Sequence, residues 1–108
     1  MFFARRRWAA RVVEKTGFPV RSRQASELIE MLIWASKQFP SRAPVAESVL
    51  IAGMRMVHNQ SAIVNLANGL DGDLVAAEKA LARLSEAAVA VATEHGMPDV
   101  VRLGRRIP

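Results

Sequence analysis

The chain has 108 residues, of which 51% are hydrophobic and 23% charged, so length and composition predict one globular domain and exclude a disordered chain. It contains no cysteine, which excludes disulfides and thiolate metal sites and is compatible with the cytoplasmic location that we expect. No apolar run reaches the roughly 18–20 residues that a membrane span needs, and we expect no membrane partner.

The net charge of +5 is divided unevenly along the chain. Residues 1–23 carry seven cations against Glu14 alone, residues 24–101 carry five cations against nine anions, and residues 102–108 add three arginines. Basic terminal segments of this kind bind nucleic acid or other anionic surfaces. The candidate nucleic-acid-binding residues are therefore the terminal cations Arg5, Arg6, Arg7, Arg11, Lys15, Arg21, Arg23, Arg102, Arg105 and Arg106.

The N-terminal part, residues 1–24, is predicted to be a basic helix followed by a linker. The helix runs from about Phe2 to Thr16, Gly17 is suited to its C-terminal cap, and Pro19 prevents its continuation. Its apolar residues partly segregate from its arginines, so the helix is amphipathic. A helix that lies on a membrane surface would share this pattern.

Two further helices are predicted in the middle of the chain. The second begins with Ser26 as its cap and extends to Phe39, which a proline follows. The third begins near Pro44, a favourable first-turn proline, and its apolar spacing continues through Ala67. Its polar middle, residues 58–61, is a candidate kink or break.

The fourth helix has the clearest pattern. Asp73 can cap its N-terminus, and His95 and Gly96 followed by Pro98 form a strong stop signal. Its apolar residues recur at alternating spacings of three and four, a heptad seam that is typical of close helix packing. The seam residues are Leu74, Ala77, Leu81, Leu84, Ala88, Val91 and His95.

Together these segments predict an all-α fold, a small helical bundle of three long helices plus the basic N-terminal helix. The bundle would occupy residues 25–101, and residues 102–108 would form a basic C-terminal tail. The predicted core residues are Leu28, Leu32, Ala35, Val49, Leu50, Met56, Ile63, Leu74, Leu81, Leu84, Ala88 and Val91.

The third helix also predicts self-association. Besides the apolar residues that recur at helical spacing along one side, it carries four more, namely Leu50, Ile51, Met54 and Val57. A three-helix core cannot easily cover all of them, and exposed apolar patches usually mark interfaces. We therefore expect a homo-oligomer.

A different interpretation makes residues 18–24 a short strand, followed by helices at 26–39 and 44–57. In order, length and turn residues, this stretch resembles the ribbon-helix-helix family of dimeric DNA-binding proteins. The resemblance implies that Arg21 and Arg23 lie on the ribbon face that enters the major groove. The opposite face would place two polar residues in a dimer core, which is unfavourable unless they are hydrogen-bonded. The fold would then be a ribbon-helix-helix with a C-terminal helical extension.

A second resemblance rests on residues spread over 25–95, namely Ala25, Glu27, Leu28, Phe39, Pro40, Ser61, Asn65, Leu66, Ala67 and Gly69. The chain is similar there to the small four-helix-bundle family, which includes proteins encoded in ribosomal-RNA intervening sequences and the accessory variability determinants of diversity-generating retroelements. This resemblance implies an all-helical bundle, often a ring-forming oligomer, associated with nucleic acid or a reverse transcriptase. The polar residues 58–60, with Ile63 and Asn68, resemble the Asn-rich helix of plasmid mobilisation proteins, whose N-terminal part is often ribbon-helix-helix.

No arrangement of catalytic or metal-ligating residues is visible in the sequence. His58 and His95 each lack a second ligand at helical spacing, and the serines lie outside any nucleophile motif. The turn at residues 71–73 offers too few oxygen ligands for an EF-hand. We therefore expect no enzyme activity, no cofactor and no metal.

Basic ends on an acidic, non-catalytic body favour an accessory protein that acts as an oligomer and binds nucleic acid through its terminal cations, without sequence preference. The alternative is a structural or assembly protein whose basic ends dock on acidic surfaces of partner subunits. Trp8 lies among the arginines and could either stack on a base or anchor its helix on the bundle.

Overall fold

The protein is all-helical throughout the residues that its structure describes, which confirms the predicted fold class. The structure, a computed structural model, describes residues 2–38 and 45–105, with side chains from residue 4 onward. Within these residues there are six helices: α1 Phe2–Glu14, α2 Arg23–Ser36, α3 Val45–Met56, α4 Gln60–Gly69, α5 Leu74–Glu94 and α6 Pro98–Arg105.

Helix α3 lies at the centre of the fold, because each of the other five helices packs against it. A helix that is apolar on all sides belongs in a core, and this one carries Leu50 and Met54 fully buried and Ile51 half-buried, while Val57, just after its end, is also half-buried. The chain itself therefore covers much of the apolar surface of α3. The homo-oligomer stays a prediction.

Helix α1 is packed into the same core. Ala9, Val12 and Val13 are buried, and α1 contacts α2, α3 and α5. The helix ends at Glu14, slightly before the predicted Thr16, and a turn follows through Gly17, whose φ of 85° lies in the left-handed region that glycine adopts readily. Its charged residues thus belong to a docked helix.

The start of α2 differs from both sequence interpretations. Ser22 is the N-cap, and its Oγ accepts a hydrogen bond from the Ala25 backbone N–H at 3.2 Å. The prediction of Ser26 as the cap is therefore wrong, because the helix begins four residues earlier and so brings Ala25 into the core. The ribbon-helix-helix alternative is also wrong, because residues 23 and 24 of the expected strand are helical and no strand occurs among the described residues.

The predicted third helix is two helices, α3 and α4. Asn59 separates them, because its Oδ1 accepts hydrogen bonds from the backbone N–H groups of Ser61 at 3.0 Å and Ala62 at 3.4 Å. This N-cap starts a new helix, which packs against α5 and α2 as well as α3. The break falls inside the polar segment that the sequence marked.

The expected C-terminal tail is helical as far as residue 105. Helix α6 packs against α5 and α3, and Val100 on its inner side is fully buried. Gly104 allows this contact, since a Cβ at that position would collide with the side chain of Val89. The prediction of a tail from residue 102 onward is therefore wrong as far as residue 105, because α6 extends over these residues.

Most of the predicted core residues are buried, as α5 illustrates. Its seam is buried from Ala77 to Val91, and the Asp73 carboxylate caps it by accepting a hydrogen bond from the Ala76 N–H at 3.0 Å. Two core predictions differ: Leu74 is 52% exposed, because it lies in the first turn beyond the packed part of the helix, and Ile63 is half-buried.

Some predictions fall on residues that the structure does not describe. The start of the next helix at Pro44 and the candidate Arg106 lie outside the described residues. The prediction that the second helix extends to Phe39 is wrong, because α2 ends at Ser36 and Lys37 and Gln38 form a turn. Among the helices of residues 2–38 and 45–105, none combines the length and apolar character needed to cross a membrane.

The position of α1 in the core makes a prediction about stability. Val12→Ala removes two buried methyl groups and should lower the free energy of unfolding by about 2 kcal/mol. Val75→Ala makes the same change at a side chain that is 61% exposed and should alter it by less than about 0.5 kcal/mol. Chemical denaturation measures both. Equal, small effects would contradict the docking of α1.

Candidate functional site

The outer side of α1 presents cations to solvent. Because Ala9, Val12 and Val13 turn inward, the helical period places Arg7 and Arg11 on the exposed side, one turn apart. Arg7 forms no ion pair with a carboxylate of any described residue. Arg7 and Arg11 are therefore exposed members of the predicted binding set on α1.

Trp8 anchors this helix. Its ring is half-buried and meets the His95 ring edge-on, with centroids 5.5 Å apart and an angle of 76° between the planes. The Arg11 guanidinium carbon lies 5.6 Å from the Trp8 ring centroid, close enough for a cation–π contact. The anchoring role of Trp8 fits this geometry, and Arg11 is held in place on the surface.

Two other arginines of α1 turn toward α2. Arg5 donates a hydrogen bond from Nη1 to Ser36 Oγ at 2.9 Å, and the fully buried Ser36 hydroxyl donates in turn to the Ile33 carbonyl oxygen at 2.9 Å. Arg6 pairs with Glu30 at 2.7 Å between Nη1 and Oε1. Arg5 is therefore partly structural, whereas the Arg6–Glu30 pair lies at the surface.

Two more candidate cations pair with carboxylates of the same chain. Lys15 Nζ lies 3.4 Å from Glu94 Oε1, and Arg23 Nη1 lies 2.8 Å from Asp71 Oδ2. All four side chains are substantially exposed, and exposed pairs of this kind stabilise a fold by only about 0–1 kcal/mol each. These cations can therefore exchange one anionic partner for another at small cost.

The N-terminal cations do not form one continuous patch. Arg23 is the first residue of α2, whereas Arg5 contacts Ser36, the last residue of that helix. Fourteen helical residues span about 20 Å, so Arg21 and Arg23 lie at the far end of α2 from Arg5. The structure divides the predicted site into separate groups.

The C-terminal candidates Arg102 and Arg105 lie on α6. Arg102 Nη2 is 3.3 Å from Asp99 Oδ1 in the preceding turn, and both Arg102 and Arg105 are exposed. Helices α6 and α1 both pack on α3 and α5. The two basic ends therefore belong to the same compact body, although their cations lie on different helices.

A second surface, which the sequence analysis missed, lies between α2, α3 and α4. It is a groove of about 470 Å³ beside the Trp34 side chain, which is 66% exposed; we call it the Trp34 groove. Trp34 falls outside the apolar stripe of α2, which contains Leu28, Leu32 and Ala35. That displacement was the one sequence signal that could have identified an exposed tryptophan.

No candidate metal site is visible in the described part of the chain. Within residues 2–38 and 45–105, His, Asp and Glu side chains nowhere gather in a group of three that could hold a metal ion. Comparisons with protein-family models, with curated proteins and with solved structures find no match to this chain. The resemblance to the small four-helix-bundle family therefore stays a prediction.

The contrast between Arg5 and Arg7 can be tested. Arg5→Ala removes the hydrogen-bond donor to the buried Ser36 hydroxyl and should lower the free energy of unfolding by about 1 kcal/mol. Arg7→Ala removes an exposed side chain and should change it by less than about 0.5 kcal/mol. Urea denaturation of both variants measures the difference. A larger effect at Arg7 would contradict this assignment.

Proposed function

We propose that the protein is a non-catalytic accessory protein that binds the phosphate backbone of nucleic acid through its basic helices. The observation that carries this proposal is the pair of exposed arginines, Arg7 and Arg11, on a helix whose opposite side is buried. A docked helix holds its cations in a fixed arrangement, which lowers the ordering cost of binding. Arg7 and Arg11 are therefore the principal contacts.

The remaining cations extend this contact. Arg6 and Lys15 exchange exposed carboxylate partners for phosphates at small cost, because both pairs are solvated. Arg21 and Arg23 at one end of α2, with Arg102 and Arg105 on α6, supply further positive charge. Contacts to phosphate carry no sequence information, so binding is tolerant of sequence and weakens with salt.

A second candidate function uses the same cations. The pairs that Arg6, Lys15 and Arg23 form with carboxylates of their own chain favour an assembly protein whose basic helices dock on acidic partner subunits. The two functions differ in one observable property. Only the first requires that the isolated protein bind nucleic acid.

The contribution of α1 is measured by a salt titration on duplex DNA. The double variant Arg7→Ala/Arg11→Ala should lower the slope of log affinity against log salt by about two, since each phosphate contact contributes about 0.9. The matched control, Lys79→Ala/Arg83→Ala, removes the same charge from α5 and should change the slope less. Circular dichroism checks that both variants keep their helix content.

Two results of that titration would contradict the proposal. The absence of wild-type binding at about 50 mM salt, where backbone contacts are strong, would remove nucleic acid as the partner and favour the assembly function. Equal losses in the two double variants would mean that net charge alone, and no face of α1, controls binding.

A substitution of Glu30 should raise the affinity for nucleic acid, whereas the arginine substitutions lower it. Glu30→Gln removes a carboxylate and releases Arg6 from its 2.7 Å pair, so affinity for nucleic acid should rise by about two- to fivefold. Glu78→Gln removes an exposed carboxylate from α5 and serves as the control. Fluorescence anisotropy at one low salt concentration compares them. An unchanged affinity in Glu30→Gln would exclude Arg6 from the interface.

A further inference from the structure

The Trp34 groove combines an aromatic wall with polar edges. Trp34 forms one wall on α2, Ser61 and Asn65 of α4 form the other, and Ala52 and Met56 of α3 lie between them. Its volume of about 470 Å³ falls within the range of about 300–1,000 Å³ that is typical of ligand sites. The groove therefore has room for a planar group against the tryptophan.

This groove adjoins the basic side of α1. Glu30, which holds Arg6 at 2.7 Å, also lines the groove. Trp34 follows Glu30 by one helical turn, so their Cβ atoms lie about 5–6 Å apart on the same side of α2. An exposed aromatic ring and a cation that can bind phosphate are therefore neighbours.

The lining of the groove is mainly apolar, and its polar side chains include the charged Glu30 and Arg55 as well as amides. Gln38, Asn59 and Asn65 line it, and each amide offers both donors and an acceptor. The Asn59 oxygen already caps α4, so this amide can offer a ligand only its N–H donors. Amides of this kind can form hydrogen bonds with the edges of unpaired nucleobases.

We propose that the Trp34 groove binds an unpaired base of single-stranded nucleic acid, stacked on Trp34, while α1 holds the adjoining phosphates. This inference rests on the proposed function and adds a preference for single strands. Bases in a duplex are already stacked and paired, so they cannot enter the groove, whereas an unpaired base can stack on an aromatic ring.

Charge and polarity favour this occupant over an apolar helix. An amphipathic partner helix gains affinity by burying apolar side chains in an apolar groove. The lining here is mainly apolar, but it also carries amides, Glu30 and Arg55, and Arg6 of α1 reaches Glu30 at its edge. A polyanion with planar, polar-edged groups complements both features. A second copy of the chain or a partner helix is then an alternative outcome of the test.

The test compares Trp34→Ala, Trp34→Phe and the control Val75→Ala, which truncates another exposed apolar side chain. The probes are a labelled oligo(dT) of about 15 nucleotides, long enough for one binding site, an oligo(U) and a duplex of the same length. In a Trp8→Phe background, Trp34 fluorescence reports directly on stacking. Circular dichroism and sedimentation check the fold and the oligomeric state of each variant.

Removing the ring should weaken single-strand binding by about five- to a hundredfold, the loss of one stacked base, with the salt slope unchanged. Duplex binding should not change, Trp34→Phe should keep most of the affinity, and both single strands should quench Trp34 emission. Val75→Ala should behave as the wild type.

Three outcomes would overturn the inference. If Trp34→Ala binds single strands as Val75→Ala does, while Arg7→Ala/Arg11→Ala still lowers the salt slope, the groove is excluded and the proposed function stands. If the wild type binds none of the probes, both fail. If Trp34→Ala changes only the sedimentation coefficient, the groove is a surface for self-association.

Discussion

The burial of α3 is the constraint on which the other features of this fold depend. A 12-residue helix has little surface, yet five helices pack on it, so its neighbours must approach closely. Small residues allow this: Ala52 is buried, and a Cβ on Gly53 would lie 3.1 Å from Leu32 Cδ2 of α2. Close packing of this kind gives the chain one core from α1 to α6.

The packing of α1 against this core also determines which of its cations contact other residues and which face solvent. Because Ala9, Val12 and Val13 must face the core, the arginines of α1 take fixed directions. Arg5 reaches the buried Ser36, Arg6 reaches Glu30, and the remaining exposed arginines point to solvent. The sequence shows only a run of positive charge, whereas the docked helix separates structural cations from those able to meet a partner.

The sequence predicts the elements whose signals are local. The heptad spacing of α5, its Asp73 cap and the glycine that ends α1 are each determined by neighbouring residues, and each agrees with the structure. The division of α3 from α4 was harder to predict, because the apolar spacing continues across it and only the Asn59 cap resets the chain direction. Helix α6 was also harder to predict, because it is short and contains arginines, and Val100 is its single fully buried residue.

The candidate site was predicted less completely than the fold, for reasons of tertiary structure. Charge identifies the cations, but which of them pair with Glu30, Glu94 or Asp71 depends on contacts 24 to 79 residues apart in the chain. The Trp34 groove requires three helices to meet, which no local pattern specifies. Residues assigned to the core by helical phase were predicted well because burial follows periodicity.

Native-state hydrogen exchange tests most directly whether α1 is an integral helix that fixes the positions of its cations. The amides of Val12 and Val13 should exchange only through the global unfolding that also exposes Leu50 in α3, so that all three report the same free energy of opening. Rapid exchange at Val12 and Val13 while Leu50 stays protected would show that α1 detaches on its own. That result would contradict a preformed cationic face.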